Sequence, residues 1–375
     1  RYPDQGLLAN ESNYQPPVQD LTSSQASLRL GYVLSQDTYG ADVEIDRRNS
    51  SLPIPQIPVG RLVERPWEIT NVVNTFLEGG GVVSNPAGAF QALVTGYDFL
   101  DDGANAVRDE LHLSLDTEGS AGGPPGTVNT LISAATVAPA EAWTADELRV
   151  ALLESGRHDL VYLAGHFSAG STLAADYETR LLASEVAETS DLDLDMSNII
   201  VFSAGCHSGY NIVNDHGIPN YTIEPDWPSV MAQKGATLIA GTGYQYGDTD
   251  FLEYSERLYL EFTRQLRSDV STDISVGDAL VRAKKQYLVD TPTMRGIHQK
   301  SLLQATIYGL PMTSVRMNPD NRLDLSSDGP TLTTTDLTPV NDIPAVATEP
   351  GEVLGLKYYD LTRNYNLNEV SKTLV

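Results

Sequence analysis

The sequence holds one cysteine, Cys206, and six histidines. A thiolate is a strong nucleophile, but near neutral pH it needs a base or an ion-pair partner in order to form. Two segments end in a way that would supply one. The first reads Asp159-Leu-Val-Tyr-Leu-Ala-Gly165-His166 and the second Asn198-Ile-Ile-Val-Phe-Ser-Ala-Gly205-Cys206. Each is an apolar run of strand length, closed by a glycine and then by a reactive side chain. In an open parallel sheet the carboxyl ends of the strands form the ligand crevice. An imidazole and a thiol would therefore share one edge. Both residues sit in Gly/Ser-rich turns, GHFSAGS and SAGCHSG, whose backbone N–H groups can approach a substrate carbonyl. A lone cysteine is more commonly a buried small hydrophobe. The paired histidine run moves the reading to nucleophilic catalysis.

Competing signals are weaker. His207 adjoins Cys206, but neighbouring side chains on an extended segment diverge, which favours His166 as the partner. His112, His158, His216 and His298 lack metal-ligand spacing. Phe167-Ser-Ala-Gly170 falls short of a nucleophile elbow, since His166 takes the first glycine position. GTGYQYG has no dinucleotide-binding spacing and no phosphate-binding GxxxxGK[ST] exists. Asp191, Asp193 and Asp195 alternate ahead of the cysteine run; they read first as a solvated acidic edge and second as calcium ligands, as do Asp101, Asp102, Asp248 and Asp250.

The elements that must carry the pair alternate. Strand-length apolar runs occur at 28–33, 92–97, 160–165, 199–204, 237–242 and 305–308. Helical spacing occurs at 67–77, 104–113, 144–153, 227–233, 251–266 and 276–288, with Thr144 and Glu147 forming a capping-box pattern. This order predicts an α/β fold with a mainly parallel sheet between helices. Composition shifts at Gly79–Gly88 and Asn318–Pro350 divide the chain into an N-terminal α/β subdomain (1–85), a catalytic subdomain (86–317) and a linker with a β-rich C-terminal segment (318–375).

The chain has 375 residues and a formal net charge of −26. That balance argues against nucleic acid and anionic membranes, which need clustered Lys and Arg, and favours cationic partners. With one cysteine no intrachain disulfide can form. No apolar stretch reaches the ~18 residues of a membrane span. The chain starts at Arg1 and reads as a processed product or a fragment of a longer precursor, which suggests a secreted or cell-surface protein. Its oligomeric state is not legible.

The strand–Gly–His and strand–Gly–Cys pair resembles the caspase-like cysteine peptidases, and its surroundings resemble the gingipain family in particular. The supporting pieces are Ile54-Pro-Gln-Ile-Pro-Val-Gly60-Arg61, Gly235-Ala-Thr-Leu-Ile-Ala-Gly-Thr242, and Leu302-Leu303 with Tyr308-Gly-Leu-Pro311. The resemblance implies a caspase/gingipain-like fold and roles for particular residues. Cys206 would attack the scissile carbonyl and His166 would protonate the leaving amine. The N–H groups of Phe167 and Cys206 would bind the oxyanion. Asp98, following Leu93-Val-Thr-Gly-Tyr97, would orient the imidazole. Asp109, with His112 three positions on, matches an acidic residue that opens the next helix in arginine-cleaving members, and would form the base of an S1 pocket. The segment Thr242–Asp250, with Tyr244 and Tyr246, would form the other wall. Structural calcium is a property of the family, at positions the sequence does not locate. The chemistry itself needs no cofactor. Phe167 and Gly205 stand where the family has glycine and alanine.

The leading expectation is thus a cysteine endopeptidase acting on polypeptides, with a preference for a basic P1 residue. The alternative is a catalytically degenerate interaction module of a bacterial surface protein. A third reading is another acyl transfer, such as transpeptidation, on the same dyad.

Overall fold

A computed structural model describes residues 2–3, 32–47, 50–83, 90–115, 126–190, 194–211, 225–249, 251–268, 273–291, 293–294, 296–315 and 338–339. Its centre is a six-stranded sheet. We number the strands β1 (Gln91–Gly96), β2 (Thr127–Ile132), β3 (Leu160–Leu163), β4 (Ile200–Ser203), β5 (Thr237–Gly241) and β6 (Ala305–Tyr308). Their spatial order is β6-β5-β4-β3-β1-β2, and all neighbours are parallel except β5 and β6. The fold is the expected mainly parallel α/β architecture with helices on both faces.

Strands buried on both faces read as continuous apolar runs, and β3, β4, β5 and β6 are buried at every position. Alternate residues feed two separate cores. Val94, Leu160, Tyr162, Ile200, Phe202, Ile239 and Ile307 point into one. Leu93, Val161, Leu163, Val201, Leu238 and Tyr308 point into the other.

Eight helices are described: α1 (Pro66–Glu78), α2 (Asp101–Leu115), α3 (Ala145–Arg149), α4 (Ala183–Glu188), α5 (Trp227–Gln233), α6 (Tyr254–Gln265), α7 (Val276–Val289) and α8 (Gly296–Gln304). The first core is closed by α2, α6, α7 and α8 through Val107, Leu111, Tyr259, Phe262, Ala283, Tyr287 and Leu303. The second is closed by α1, α3, α4 and α5 through Val72, Leu148, Val186, Trp227 and Val230. The capping box at Thr144 forms: its Oγ1 accepts from Glu147 N–H at 3.3 Å, and Glu147 accepts from Thr144 N–H at 2.8 Å. The helix it opens runs on as a π-helical turn to Glu154. Asp226 and Ser275 cap α5 and α7 by accepting from the N–H of Ser229 and Asp278.

The outer edge of β6 is covered rather than open, which removes a site for unwanted strand pairing. Arg61 N–H donates to Ile307 O at 2.8 Å, and Gln36 Oε1 accepts from Ile307 N–H at 3.3 Å. Beneath Gln36 lies a buried ion pair. Lys284 Nζ, on α7, reaches both Asp37 carboxylate oxygens at 2.6 and 2.8 Å and Ala305 O at 2.9 Å. Burial pushes the lysine down and the aspartate up, and their mutual attraction opposes both shifts. Residues 52–83 also contribute to the two cores, through Leu52, Ile54 and Val83 on one face and Val63 and Val72 on the other. The expected boundary at Gly79–Gly88 falls partly outside the described residues. Within its described part, Val82–Val83 pairs with Ser314–Val315. The β-rich segment 318–375 also lies outside them, apart from Thr338–Pro339, which pairs with Thr293–Met294.

Replacing Lys284 with Met leaves Asp37 buried without its counter-charge, at an expected cost of about 3–5 kcal/mol by denaturant unfolding. The double replacement Lys284→Met with Asp37→Leu should recover most of that loss. A single variant as stable as the parent would show that the pair is not needed.

Candidate active site

The chain leaves β1 toward β2 on one side and later returns to β3 on the other. The space between β1 and β3 is therefore a topological switch point, where crevices open at the carboxyl ends of strands. Asp98 follows β1 by two residues and His166 follows β3 by three. They meet there: His166 Nε2 lies 3.0 Å from Asp98 Oδ2. A carboxylate can only accept, so the neutral imidazole carries its proton on Nε2 and leaves Nδ1 for other work. The hydrogen bond from His166 is the main influence holding the Asp98 carboxyl below its ordinary range, and a second bond from Tyr177 adds to it against partial burial.

Cys206 reaches the same edge by register. Leu163 of β3 pairs with Ser203 of β4, and Ala204 N–H extends the ladder to Leu163 O at 3.0 Å. His166 and Cys206 each lie three residues past that registered pair, on strands about 4.8 Å apart. Beyond β4, Ser203 Oγ accepts from Gly205 N–H at 3.0 Å and donates to Leu163 O at 3.0 Å, which starts the turn. Cys206 is half-buried, and its thiol donates to Gln245 O at 3.6 Å, in the loop after β5.

The backbone of His166 is set by Tyr97. The Tyr97 hydroxyl accepts from His166 N–H at 3.0 Å and donates to Leu173 O at 2.7 Å, standing between two strands of the hairpin that follows β3. A side chain at Gly165 (φ 155°) would place its Cβ 2.5 Å from the Tyr97 ring, so glycine is required there. Leu173 N–H bonds His166 O, and Thr172 is paired with Phe167. Phe167 therefore sits at a non-hydrogen-bonded register position, and its N–H takes no part in the hairpin ladder. The imidazole is ringed by aromatics: Tyr97, Tyr177 and Phe99 have centroids 5.6, 5.8 and 5.9 Å away.

Backbone strain gathers here. Among the described residues five non-glycines have positive φ, and three of them, Asp98, Tyr177 and His207, belong to this edge. Strained conformations concentrate where surrounding structure over-determines a functional geometry. His207 is not an alternative base. It is fully buried against Tyr244 (4.6 Å between centroids), and burial pushes its imidazole down to about 3, so it stays neutral.

Phe167 and Gly205 turn out to be one feature. A Cβ at position 205 would fall 2.2 Å from the Phe167 ring, which occupies that space and also meets Trp227 at 5.8 Å.

Two sequence expectations are corrected. Asp109 does not open a helix. Asp98–Leu100 form a 3-10 turn that passes directly into α2 at Asp101, so Asp109 lies eight residues in, about 12 Å along the axis. It is exposed and paired with Arg108 at 2.7 Å, while the buried acid of α2, Glu110, is paired with Arg267. Tyr246 is 1% exposed and so cannot line a pocket wall, whereas Tyr244 is half-buried beside His207. The aromatic ring around His166 escaped the sequence reading. Tyr97 and Phe99 flank Asp98 and could have been found that way; Tyr177 had no such signal.

For calcium, the described candidates are otherwise engaged. Asp101 accepts from Ala135 N–H, and Asp102 accepts from Gly103 N–H. Among the described residues no group of three or more His, Cys, Asp or Glu side chains converges as metal ligands. Asp191, Asp193 and Asp250 lie outside them. No described helix is long and apolar enough to cross a membrane.

No family model and no curated protein matches the chain. A solved structure named "Structure of Protease" is similar at TM-score 0.46 and 10% identity, over 75% of this chain and 59% of that one. The chain thus spans about three fifths of that structure's length, and a likeness at this level carries no functional argument.

The Phe167–Gly205 packing is testable by a double-mutant cycle. Gly205→Ala alone should cost about 1–3 kcal/mol through overpacking, and Phe167→Gly alone should cost more through the cavity beside Trp227. The double variant should be more stable than the sum of the two losses allows. Strict additivity would separate the two positions.

Proposed function

We propose that the chain is a cysteine endopeptidase of the gingipain type. The observation that carries the reading is geometric. A thiol and an imidazole occupy equivalent positions past adjacent in-register strands, with a carboxylate 3.0 Å behind the imidazole at the switch point. In this reading Cys206 loses its proton to His166 Nδ1, and the thiolate attacks the scissile carbonyl carbon. The oxyanion that forms accepts hydrogen bonds from Phe167 and Cys206 N–H. His166 then returns the proton to the leaving amine, the C–N bond breaks, and a thioester remains. Water, deprotonated by the same imidazole, hydrolyses the thioester and restores the thiol. Asp98 holds the Nε2–H tautomer and stabilises the imidazolium, as the carboxylate of a serine-protease triad does. No step requires a cofactor.

A basic P1 residue belongs to the proposal, with altered support. Asp109 is exposed and paired with Arg108. What favours a cationic substrate is the net charge of −26, which attracts basic segments, together with the carboxylates that open α2 beside Asp98. The interaction-module reading draws on Phe167 and Gly205, whose mutual packing gives both a structural reason, and on the Thr-rich tail beyond Asn318, most of which lies outside the described residues. A secreted or cell-surface location remains part of the same proposal.

Cys206→Ala should lower hydrolysis of a fluorogenic peptide mixture by at least about 10³-fold while leaving the unfolding midpoint unchanged. Undiminished hydrolysis would sink the peptidase reading, and a parent chain that cleaves no peptide would favour the interaction module. Across a P1 panel, Arg and Lys should exceed apolar residues, and equal turnover would remove the preference. Asp109→Ala should leave that ranking intact and rates within about twofold, as expected of an exposed pair.

A further inference from the structure

The loop between Leu173 and Arg180 is built to deliver one side chain. Asp176 Oδ1 accepts from Glu178 and Thr179 N–H at 3.0 and 2.9 Å, and its Oδ2 accepts from Thr179 Oγ1 at 2.7 Å. Thr179 Oγ1 in turn accepts from Ala145 N–H at 2.7 Å, and Asp176 N–H donates to Trp143 O at 3.2 Å, which anchors the turn to the start of α3. Ala174 and Thr179 close it by a backbone bond of 2.9 Å. At its apex Tyr177 is held at φ 58°, a conformation that aromatic residues adopt rarely and at a cost. The reward is its placement. The ring lies 5.8 Å from the His166 imidazole and 5.7 Å, edge-on, from Tyr97, and the hydroxyl comes close enough to Asp98 to help hold that carboxyl below its ordinary range.

We infer that Tyr177 is a positioning residue, which acts on the His166 imidazole through Asp98 by fixing the orientation of that carboxylate and spreading its charge. Asp98 leaves β1 in a left-handed conformation of its own, also at φ 58°, so its side chain needs holding from outside the strand. His166 holds it at 3.0 Å, and the Tyr177 hydroxyl is a second neighbour. The charged and titratable groups that face this cluster are His166 and Asp98 themselves, Tyr97 just past β1, and Arg180 from the strand after the loop. Tyr177 is 45% exposed and so forms a solvent-side wall of the imidazole, next to the buried Tyr97. A donor on the carboxylate weakens its hold on the imidazolium. Removing that donor concentrates the negative charge on Asp98 and stabilises protonated His166.

This inference rests on the peptidase reading for its catalytic meaning, but not for its test. The experiment uses the full chain and follows the His166 ring signals by NMR across pH, assigned by their absence in His166→Gln. Tyr177→Phe keeps the ring packing and removes only the hydroxyl. The His166 titration midpoint should move up by about 0.5 pH unit, a fraction of the roughly one to two units that a hydrogen bond to a charged group is worth, because the effect reaches the imidazole only through Asp98. In an Asp98→Asn background the same replacement should move it by nothing. An unmoved midpoint in Tyr177→Phe would overturn the inference, and so would an equal shift without the Asp98 carboxylate. The pH dependence of Cys206 alkylation by iodoacetamide gives a second readout, and its midpoint should follow the imidazole. Neither measurement needs a peptide substrate. A chain that cleaves nothing yet shows the Asp98-dependent shift sinks the peptidase reading alone, whereas cleavage with an unmoved imidazole sinks the role of Tyr177 alone.

Discussion

Because β1, β3 and β4 run parallel and in register, the residues that follow them emerge at one level along one edge. The whole candidate site hangs on that register. Side chains alternate between two separately packed cores, so a slip of one residue in β4 would drive Val201 toward the face of Phe202 and carry Cys206 out of line with His166. Both cores therefore resist the slip. Burying Phe202 and Tyr162 against α6, and Val201 and Leu163 against the helices opposite, is what keeps the thiol and the imidazole level.

Tyr97 and Ser203 convert strand positions into side-chain positions. The hydroxyl of Tyr97 takes the place of a direct ladder bond between His166 and Leu173 and so links β1 to the hairpin that carries the imidazole. Ser203 does similar work for the cysteine turn. Both are buried polar groups whose bonds are made, and such satisfied groups fix a unique arrangement where purely apolar contacts would tolerate several.

The parallel sheet was legible because its inner strands are uninterrupted apolar runs, and the Cys206/His166 pairing was legible because those runs end alike. Other elements escaped for identifiable reasons. β2 is an edge strand with mostly exposed or half-buried residues, so TVNTLI never forms an apolar run. α8 has no amphipathic stripe, since Gln299, Lys300, Ser301 and Leu303 are all buried together. Asp109 was misplaced because motif spacing counts residues, whereas the 3-10 turn at Asp98 brings the helix start forward to Asp101. Tyr246 lies in a polar loop whose backbone pairs with Ser255, which turns the ring inward. Tyr177 depends on a turn anchored to a distant helix, a relation that no local pattern encodes.

The packing of Phe167 onto Gly205 also constrains how this site could have diverged. An ancestor with glycine after the histidine and alanine before the cysteine cannot reach the present pair in one step without a defect. Enlarging position 167 first drives a ring into a methyl group; shrinking position 205 first leaves a gap of a methyl's size. The gap costs about 1 kcal/mol, less than a forced overlap. From the present pair either single step back carries a cost, a methyl forced against the ring or a cavity beside Trp227. The two positions, 38 residues apart, are bound to drift as one locus.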